Sequence, residues 1–303
     1  MEELKTDLVN SNSRFKKFGK FSFVFPGNSM VRLGDGIQVH RLDFPHLEVA
    51  DLKRSVKESL CSSIGVADAV LLSGGIDSSV IAKLEYDVNK HVKFISCGFA
   101  GSHDLIYANI LAKQLNADII NVNLSEDIVV DTMKTLKGLG FTGYDLILGI
   151  VEYNCLKKMS DLNLKTALTG MGSDELLFGY DKYKYLDRHS LIDYRLDRVS
   201  YISVTDGFRI NKLAKLFKVN VLSPYLDTEF VRLAMNYDIT GEKYEDMSGK
   251  KVLRMIADEI GIDKRIVNRE KKAMQYGSGV LPALRAISKA RGFKGVNELA
   301  NAL

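Results

Sequence analysis

A short apolar run that ends in glycine and serine does most to limit the fold of this chain. Ala69-Val70-Leu71-Leu72 is continuous and apolar, as expected of a strand buried on both faces of a parallel sheet. It runs directly into Ser73-Gly74-Gly75-Ile76-Asp77-Ser78-Ser79, and a helical pattern continues from Ser79 to Asp87. Strand, glycine turn and helix in immediate succession begin a βαβ unit. The alternation then repeats. Lys93 to Cys97 reads as strand, Asp104 to Leu115 as amphipathic helix, Asp118 to Val122 as strand, Leu146 to Met159 as helix, and Thr166 to Thr169 as strand. This order predicts an α/β fold on a doubly wound parallel sheet. From about Asp174 onward the pattern is mostly helical, which predicts a helical C-terminal part.

Ahead of the sheet, residues 1–20 are polar and weakly patterned, as at a frayed end. Phe21 to Phe25 alternates like a short strand and stops at Pro26-Gly27. Met30 to Leu33, Gly34-Asp35-Gly36 and Ile37 to Leu42 read as a hairpin with a glycine turn. A helix is expected from about Leu47 to Ile64. The chain thus divides into an N-terminal segment and hairpin, 1–45, and one domain over 46–303. Its 303 residues suffice for a sizeable core.

Composition sets further limits. The net charge of +4 comes from 42 basic and 38 acidic residues. That near balance lacks the basic bias of a nucleic-acid binder. The three cysteines, Cys61, Cys97 and Cys155, are odd in number and far apart, so they make neither a disulfide framework nor a zinc site. They read as buried thiols in a reducing compartment. No signal-peptide core opens the sequence. No apolar run approaches the roughly 20 residues that span a bilayer. A cytoplasmic location is expected, with no membrane partner.

The loop from Ser73 to Ser79 carries the chemistry. Its glycines allow the backbone to approach a ligand closely. The following helix N-terminus offers free N–H groups and partial positive charge, which suit phosphate. Ser73, Ser78 and Ser79 add hydroxyls. The Walker A ending and the dinucleotide Gly-x-Gly-x-x-Gly are both absent. A plain strand–turn–helix joint capped by Asp77 or Ser78 would need fewer of these residues.

Ser-Gly-Gly-x-Asp-Ser resembles the pyrophosphate loop of the N-type ATP pyrophosphatases, the PP-loop superfamily. Its members have the adenine nucleotide alpha hydrolase-like fold and split ATP between the α and β phosphates. Thr169-Gly170-Met171-Gly172-Ser173-Asp174-Glu175-Leu176-Leu177-Phe178-Gly179-Tyr180 is similar to the Ser-Gly-Glu-Gly-Ser-Asp-Glu-Leu-Phe-Gly-Gly-Tyr segment of asparagine synthetases. Ser96-Cys97-Gly98, Gly101-Ser102-His103-Asp104-Leu105, Arg209-x-Asn211-Lys212, Ser223-Pro224-Tyr225-Leu226-Asp227, Lys250-x-x-Leu253-Arg254 and Arg269-Glu270-Lys271 follow in family order.

The resemblance implies an ATP-dependent, AMP-forming amide ligase using ATP and magnesium. Ser73, Gly74, Gly75, Asp77, Ser78 and Ser79 would cradle the phosphates. Leu72 and Cys97 would flank the adenosine, and Gly170 and Gly172 would approach ribose and base. Asp77 and Asp174 would hold the metal, since a hard cation of this kind takes one or two carboxylates plus phosphate oxygens. Lys271, assisted by Lys250, would stabilise charge on the α-phosphate and pyrophosphate. Met171 and Glu175 would line the substrate pocket. Gly277-Ser278-Gly279 resembles a segment that follows the same lysine in β-lactam synthetases, where a loop or lid is expected.

The sequence also departs from that family. Met171 replaces a Glu held to act near the attacking amine, and Met cannot move a proton. By spacing, Asp206 is the candidate base; a turn or helix cap before Gly207 is the plainer role. Asn220-Val221-Leu222 replaces Glu-Ala-Arg, and Gly143 to Leu148 lacks an Arg. The pocket therefore reads as more apolar, which points away from aspartate as the acid. Residue 2 is Glu, so the N-terminal Cys glutaminase is expected to be missing. Ammonia, another amine or a separate glutaminase would supply nitrogen to a small-molecule carboxylate. The hairpin would be a remnant of the linker. Two other readings stay open: a tRNA-base-modifying relative, and a non-catalytic nucleotide binder. Many superfamily members dimerise, which keeps a homodimer open, although no interface signature is visible.

Overall fold

Two short strands, β1 (Val31–Leu33) and β2 (Ile37–Val39), pair antiparallel with Val31 opposite Val39, the ladder expected of the hairpin. The computed structural model describes residues 31–33, 37–39, 52–65, 67–202, 205–236 and 250–303. The expected strand Phe21 to Phe25, the polar stretch 1–20, the turn at Gly34 to Gly36, and the division between residues 45 and 46 lie outside those residues. After α1 (Leu52–Ser62) come β3 (Ala69–Leu71), α2 (Ile76–Val88), β4 (Lys93–Phe99), α3 (His103–Leu115) and β5 (Ile119–Leu124). Then follow α4 (Glu126–Gly138), α5 (Gly143–Asp161) and β6 (Thr166–Leu168).

The five strands lie in the order β5-β4-β3-β6-β7, where β7 is Asn220–Leu222, and every neighbouring pair is parallel. The inner strands are apolar on both faces. Ala69, Val70, Phe94, Ile95, Ala167 and Leu168 are wholly buried, as continuous apolar runs require. The edge strand β5 instead alternates and exposes Asn121 and Asn123 on its bridged register with β4. The chain works outward from β3 through β4 to β5, then returns to the other side of β3 for β6 and β7. The reversal between β3 and β6 is a topological switch point, where open α/β sheets bind ligands beyond the strand C-termini.

The C-terminal part is helical, as expected, with one correction. Between α6 (Ser173–Leu176), α7 (Arg188–Ile202) and α8 (Asp206–Phe217) on one side and α9 (Thr228–Asn236) on the other, β7 adds a fifth strand. Its three residues are too few to show a period of two. The helices α10 (Lys251–Glu259), α11 (Lys264–Val267), α12 (Met274–Gly277), α13 (Val280–Ala290) and α14 (Val296–Ala302) complete the chain. The stripe Val252, Leu253, Ile256 and Ala257 of α10 is buried where it packs on α1 and α2. The α5 helix buries Ile150, Val151, Cys155, Leu156 and Met159 between α4 and α8. Cys97 and Cys155 are buried as expected, while Cys61 is exposed on α1. Among the described residues no helix is long and apolar enough to cross a membrane.

Candidate active site

The loop after β3 is pressed onto a neighbouring helix. Gly74 has φ +66, and a Cβ there would run into the backbone of Tyr107 and Ala108 on α3. Only glycine tolerates both conditions. The N-cap of α2 is Gly75, with no side-chain cap, so neither Asp77 nor Ser78 plays the capping part considered above. Ser78 Oγ turns back instead, accepting from Ser73 N at 3.2 Å and lying 3.1 Å from Ser73 Oγ. The first-turn N–H groups of α2 are left without side-chain partners at the cavity.

The loop after β6 meets this turn at the switch point. A Cβ on Gly170 would lie 2.9 Å from both Asp77 Cβ and Ser78 N. Tyr225 Oη donates to Asp77 O at 3.1 Å, and Ser223 Oγ donates to Met171 O at 2.5 Å. Gly172, at φ +91, starts α6 against Leu226.

Two carboxylates and two lysines join the halves. Lys250 Nζ lies 2.5 Å from Asp77 Oδ1 and 2.6 Å from Asp174 Oδ1. Lys271 Nζ lies 2.6 Å from the same Asp174 oxygen, donates to Gly179 O at 2.9 Å, and sits 4.4 Å from the centre of the Tyr180 ring. Burial alone would raise the Asp174 carboxyl, but Lys250 and Lys271 together hold it below the ordinary range. Burial likewise works against the Lys250 ammonium, and Asp174 and Asp77 outweigh it, so its pKa is raised. Lys250 is buried, whereas the Lys271 side chain keeps 41% of its surface open. The donor set fits a divalent ion. Two carboxylates from different loops converge on one ammonium, and such an ion would complete its shell with phosphate and water. Among the described residues no group of three or more His, Cys, Asp or Glu forms a metal cage, so the protein could supply only part of that shell.

A third strut fixes the segment that carries Lys271. Arg269 donates from Nη1 to Ser73 O at 2.8 Å and from Nη2 to Asp104 Oδ1 at 2.6 Å. Burial pushes the Asp104 carboxyl up to about 6, against the pull of Arg269. Ser278 O accepts from Phe99 N at 2.9 Å, and Ser278 is fully buried. The expected loop or lid at Gly277-Ser278-Gly279 is therefore a packed joint. A Cβ at Gly277 would strike the Asp104 carboxylate, which explains the small residue.

These elements surround a cavity of about 780 Å³. Opposite the phosphate loop its wall comes from α5 and α8. Arg209 Nε and Nη2 donate to Glu152 at 2.8 and 2.9 Å, Nη1 to Asp145 at 2.7 Å, and Nη2 to Asp206 at 2.6 Å. Burial raises the Glu152 carboxyl despite Arg209. Burial would lower the guanidinium, yet its carboxylates raise it. This wall is less apolar than the sequence suggested.

A family model described as asparagine synthase matches residues 50–203 and 194–291. The chain belongs to the asparagine synthase family. A protein of Methanocaldococcus jannaschii provisionally named a glutamine-hydrolysing asparagine synthetase is 28% identical over 83% of this chain and 54% of its own length. A glutamine-hydrolysing asparagine synthetase of Zea mays is 24% identical over 69% of this chain and 39% of its own. The chain thus spans about half the length of the curated relatives it matches, or less. An NMN synthetase from Francisella tularensis aligns at 12% identity over 83% of this chain and 92% of that one, with a TM-score of 0.39, a likeness too loose to bear on the site.

Within this asparagine synthase frame the anticipated residues fall into two groups. Leu72, Ser73, Gly75, Asp77, Ser78, Cys97, Gly170, Met171, Asp174, Asp206, Lys250 and Lys271 line one cavity. Gly74, Ser79, Gly172 and Glu175 do not line it. Ser79 is wholly buried in α2. Glu175, expected in the substrate pocket, lies behind the wall and accepts from Tyr180 Oη. Burial, reinforced by the charge of Asp174, pushes its carboxyl up to about 7. Arg269, Tyr180 and Glu152 also line the cavity and had no assigned role. Glu152 had a sequence signal: it is a lone acid within the apolar stretch Ile147 to Val151 and Cys155 to Leu156.

Proposed function

We propose that this cavity binds ATP and magnesium and adenylates a carboxylic acid, which an amine then converts to an amide. The observation that carries this reading is the meeting of the β3 and β6 loops at the switch point, with Lys250 and Lys271 bracketing Asp77 and Asp174. An uncapped helix N-terminus and two lysines suit a triphosphate. Asp77 and Asp174 would hold magnesium, which when bound would neutralise phosphate charge.

In the first half-reaction a carboxylate oxygen attacks the α-phosphorus. The bond to the bridging oxygen of the β-phosphate breaks, and pyrophosphate leaves with the electron pair. Lys271, part-exposed at the cavity, stabilises the charge that builds on the leaving group. A fixed cation placed where such charge develops is usually a large catalytic contribution. In the second half-reaction the amine nitrogen attacks the acyl carbon, AMP departs, and the nitrogen loses a proton. Met171 lacks any group to take it. Asp206 is the part-exposed carboxylate on the acceptor wall and is assigned that proton. Holding both reactants in one cavity supplies the advantage of proximity.

Exchange of labelled pyrophosphate into ATP, measured against a panel of carboxylic acids and against tRNA, tests this reading. Acid-dependent exchange is expected. Exchange supported by tRNA and by no acid would replace the amide ligase with a base-modifying enzyme.

A further inference from the structure

Lys271 is held by three groups, and only one of them carries charge. Its Nζ lies 2.6 Å from Asp174 Oδ1, donates to Gly179 O at 2.9 Å, and stands 4.4 Å from the centre of the Tyr180 ring. Asp174 is shared, since the same oxygen is 2.6 Å from Lys250 Nζ. A carboxylate neutralises the cation that it holds. A carbonyl dipole and the face of an aromatic ring orient a cation and leave its net charge in place.

The Tyr180 ring is itself fixed from behind. Its hydroxyl donates to the buried Glu175 and accepts from Arg198, whose guanidinium stands 5.4 Å from the ring centre. The buried Tyr183 ring lies 6.0 Å away at 28°, and Tyr183 N donates to Tyr180 O at 3.1 Å. Hydroxyl, stacked neighbour and backbone together set the plane of a ring that still lines the cavity. Adenylation as described above gives neither Tyr180 nor Glu175 a part.

We propose that Tyr180 is a positioning residue for Lys271: its ring face holds the ammonium at the phosphate end of the cavity without neutralising it, while Glu175 and Arg198 hold the ring. This inference rests on the reading of Lys271 as the cation that stabilises the departing pyrophosphate. A lysine ammonium sits on a flexible four-carbon stem, and a small displacement of a catalytic group costs rate steeply. Tyr180 acts only through that ammonium.

Tyr180→Phe and Tyr180→Leu both remove the hydroxyl and its bond to Glu175, so the comparison between them reports the ring. Acid-dependent exchange of labelled pyrophosphate into ATP is measured for both on the full chain. The saturated rate should be about tenfold lower for Tyr180→Leu than for Tyr180→Phe, the size of a partly desolvated cation–π contact. The KM for ATP should differ between them by less than about threefold. Combined with Lys271→Ala, the two substitutions should give equal rates, because the ring has no ammonium left to hold. NMR of the chain carrying isotope-labelled lysine reads the contact without turnover, with the Lys271 signal assigned by Lys271→Ala. The Lys271 ε-protons should be shifted upfield by the ring in the unsubstituted protein and in Tyr180→Phe, but not in Tyr180→Leu, and the shift should persist when α,β-methylene-ATP and magnesium bind. The measurement on the unsubstituted protein stands whether or not either variant folds. Equal exchange rates for the two variants, a tenfold difference that survives Lys271→Ala, or an upfield shift that is absent or vanishes on nucleotide binding would overturn the inference while leaving the ligase reading intact. A ring-dependent shift without any acid-dependent exchange in the unsubstituted protein would overturn the ligase reading and leave the contact between ring and ammonium standing.

Discussion

Lys271 and Lys250 contact the same aspartate yet occupy different surroundings, and this sets what each can do. Lys250 is buried between Asp77 and Asp174, so removing it would strand Asp77, leave Asp174 with Lys271 alone, and weaken the fold itself. Lys271 has an open side chain and one carboxylate partner. Lys271→Ala should therefore lower turnover by about 10²- to 10³-fold, the usual cost of losing one transition-state donor. The dissociation constant for ATP should stay within about threefold, as read by calorimetry. Equal losses in binding and turnover would assign Lys271 to ground-state binding instead. Glu175 yields a prediction about pH. Burial, then the charge of Asp174, lifts its pKa from 4.5 to about 7 in the folded protein. Between those values the folded state keeps a proton that the unfolded state has lost, so stability falls as pH rises through that window. Glu175→Gln should flatten the fall, measured by urea unfolding from pH 4.5 to 7.5; an unchanged slope would show that Glu175 titrates normally. The loop residues Ser73 to Ser78 were legible in the sequence because glycine and serine beside an apolar strand have a local meaning. The partners of Glu152 and Arg269 were not, because Arg209 and Ser73 reach them only through the tertiary fold.

At the scale of elements, the site depends on how closely the β3 and β6 turns approach. Gly170→Ala places a Cβ 2.9 Å from Asp77 Cβ and Ser78 N, where backbone has to give way. The substitution should cost about 1–3 kcal/mol in stability and weaken ATP binding. Gly138→Ala, whose Cβ meets nothing within 4 Å, serves as the control and should be near neutral in both thermal unfolding and ATP titration. Loss of binding in both variants would remove the special role of the Gly170 approach. The elements near the site were largely readable. The apolar runs at β3 and β6 and the periodic stretches of α3 and α5 have clear local patterns. Two elements were not anticipated. The α4 helix, whose Ser125 cap accepts from Ile128 N at 3.3 Å, buries Val129, Val130, Met133 and Leu136, but its exposed half is polar enough to pass for a connection. The β7 strand is three residues long, and its identity comes from its pairing with β6. The Gly277-Ser278-Gly279 joint reads as a loop or lid from its resemblance to the segment in β-lactam synthetases. Its packing follows from contacts with Asp104 and Phe99, which lie far away in sequence.

On the whole molecule, the strand order β5-β4-β3-β6-β7 creates one crevice and gives its two sides different chemistry. The β3 side offers helix N–H groups and hydroxyls. The segment from Lys250 to Lys271 brings positive charge to the middle. The α5–α8 wall offers carboxylates around a saturated Arg209. The chain belongs to the asparagine synthase family. The central claim is that the crevice cleaves ATP between its α and β phosphates. Turnover of ATP labelled separately at the α and γ phosphates, in the presence of an acid that supports exchange and an amine, tests this most directly. The account predicts label recovered as AMP and pyrophosphate in equal amounts, one of each per amide formed. Recovery as ADP and inorganic phosphate would contradict it.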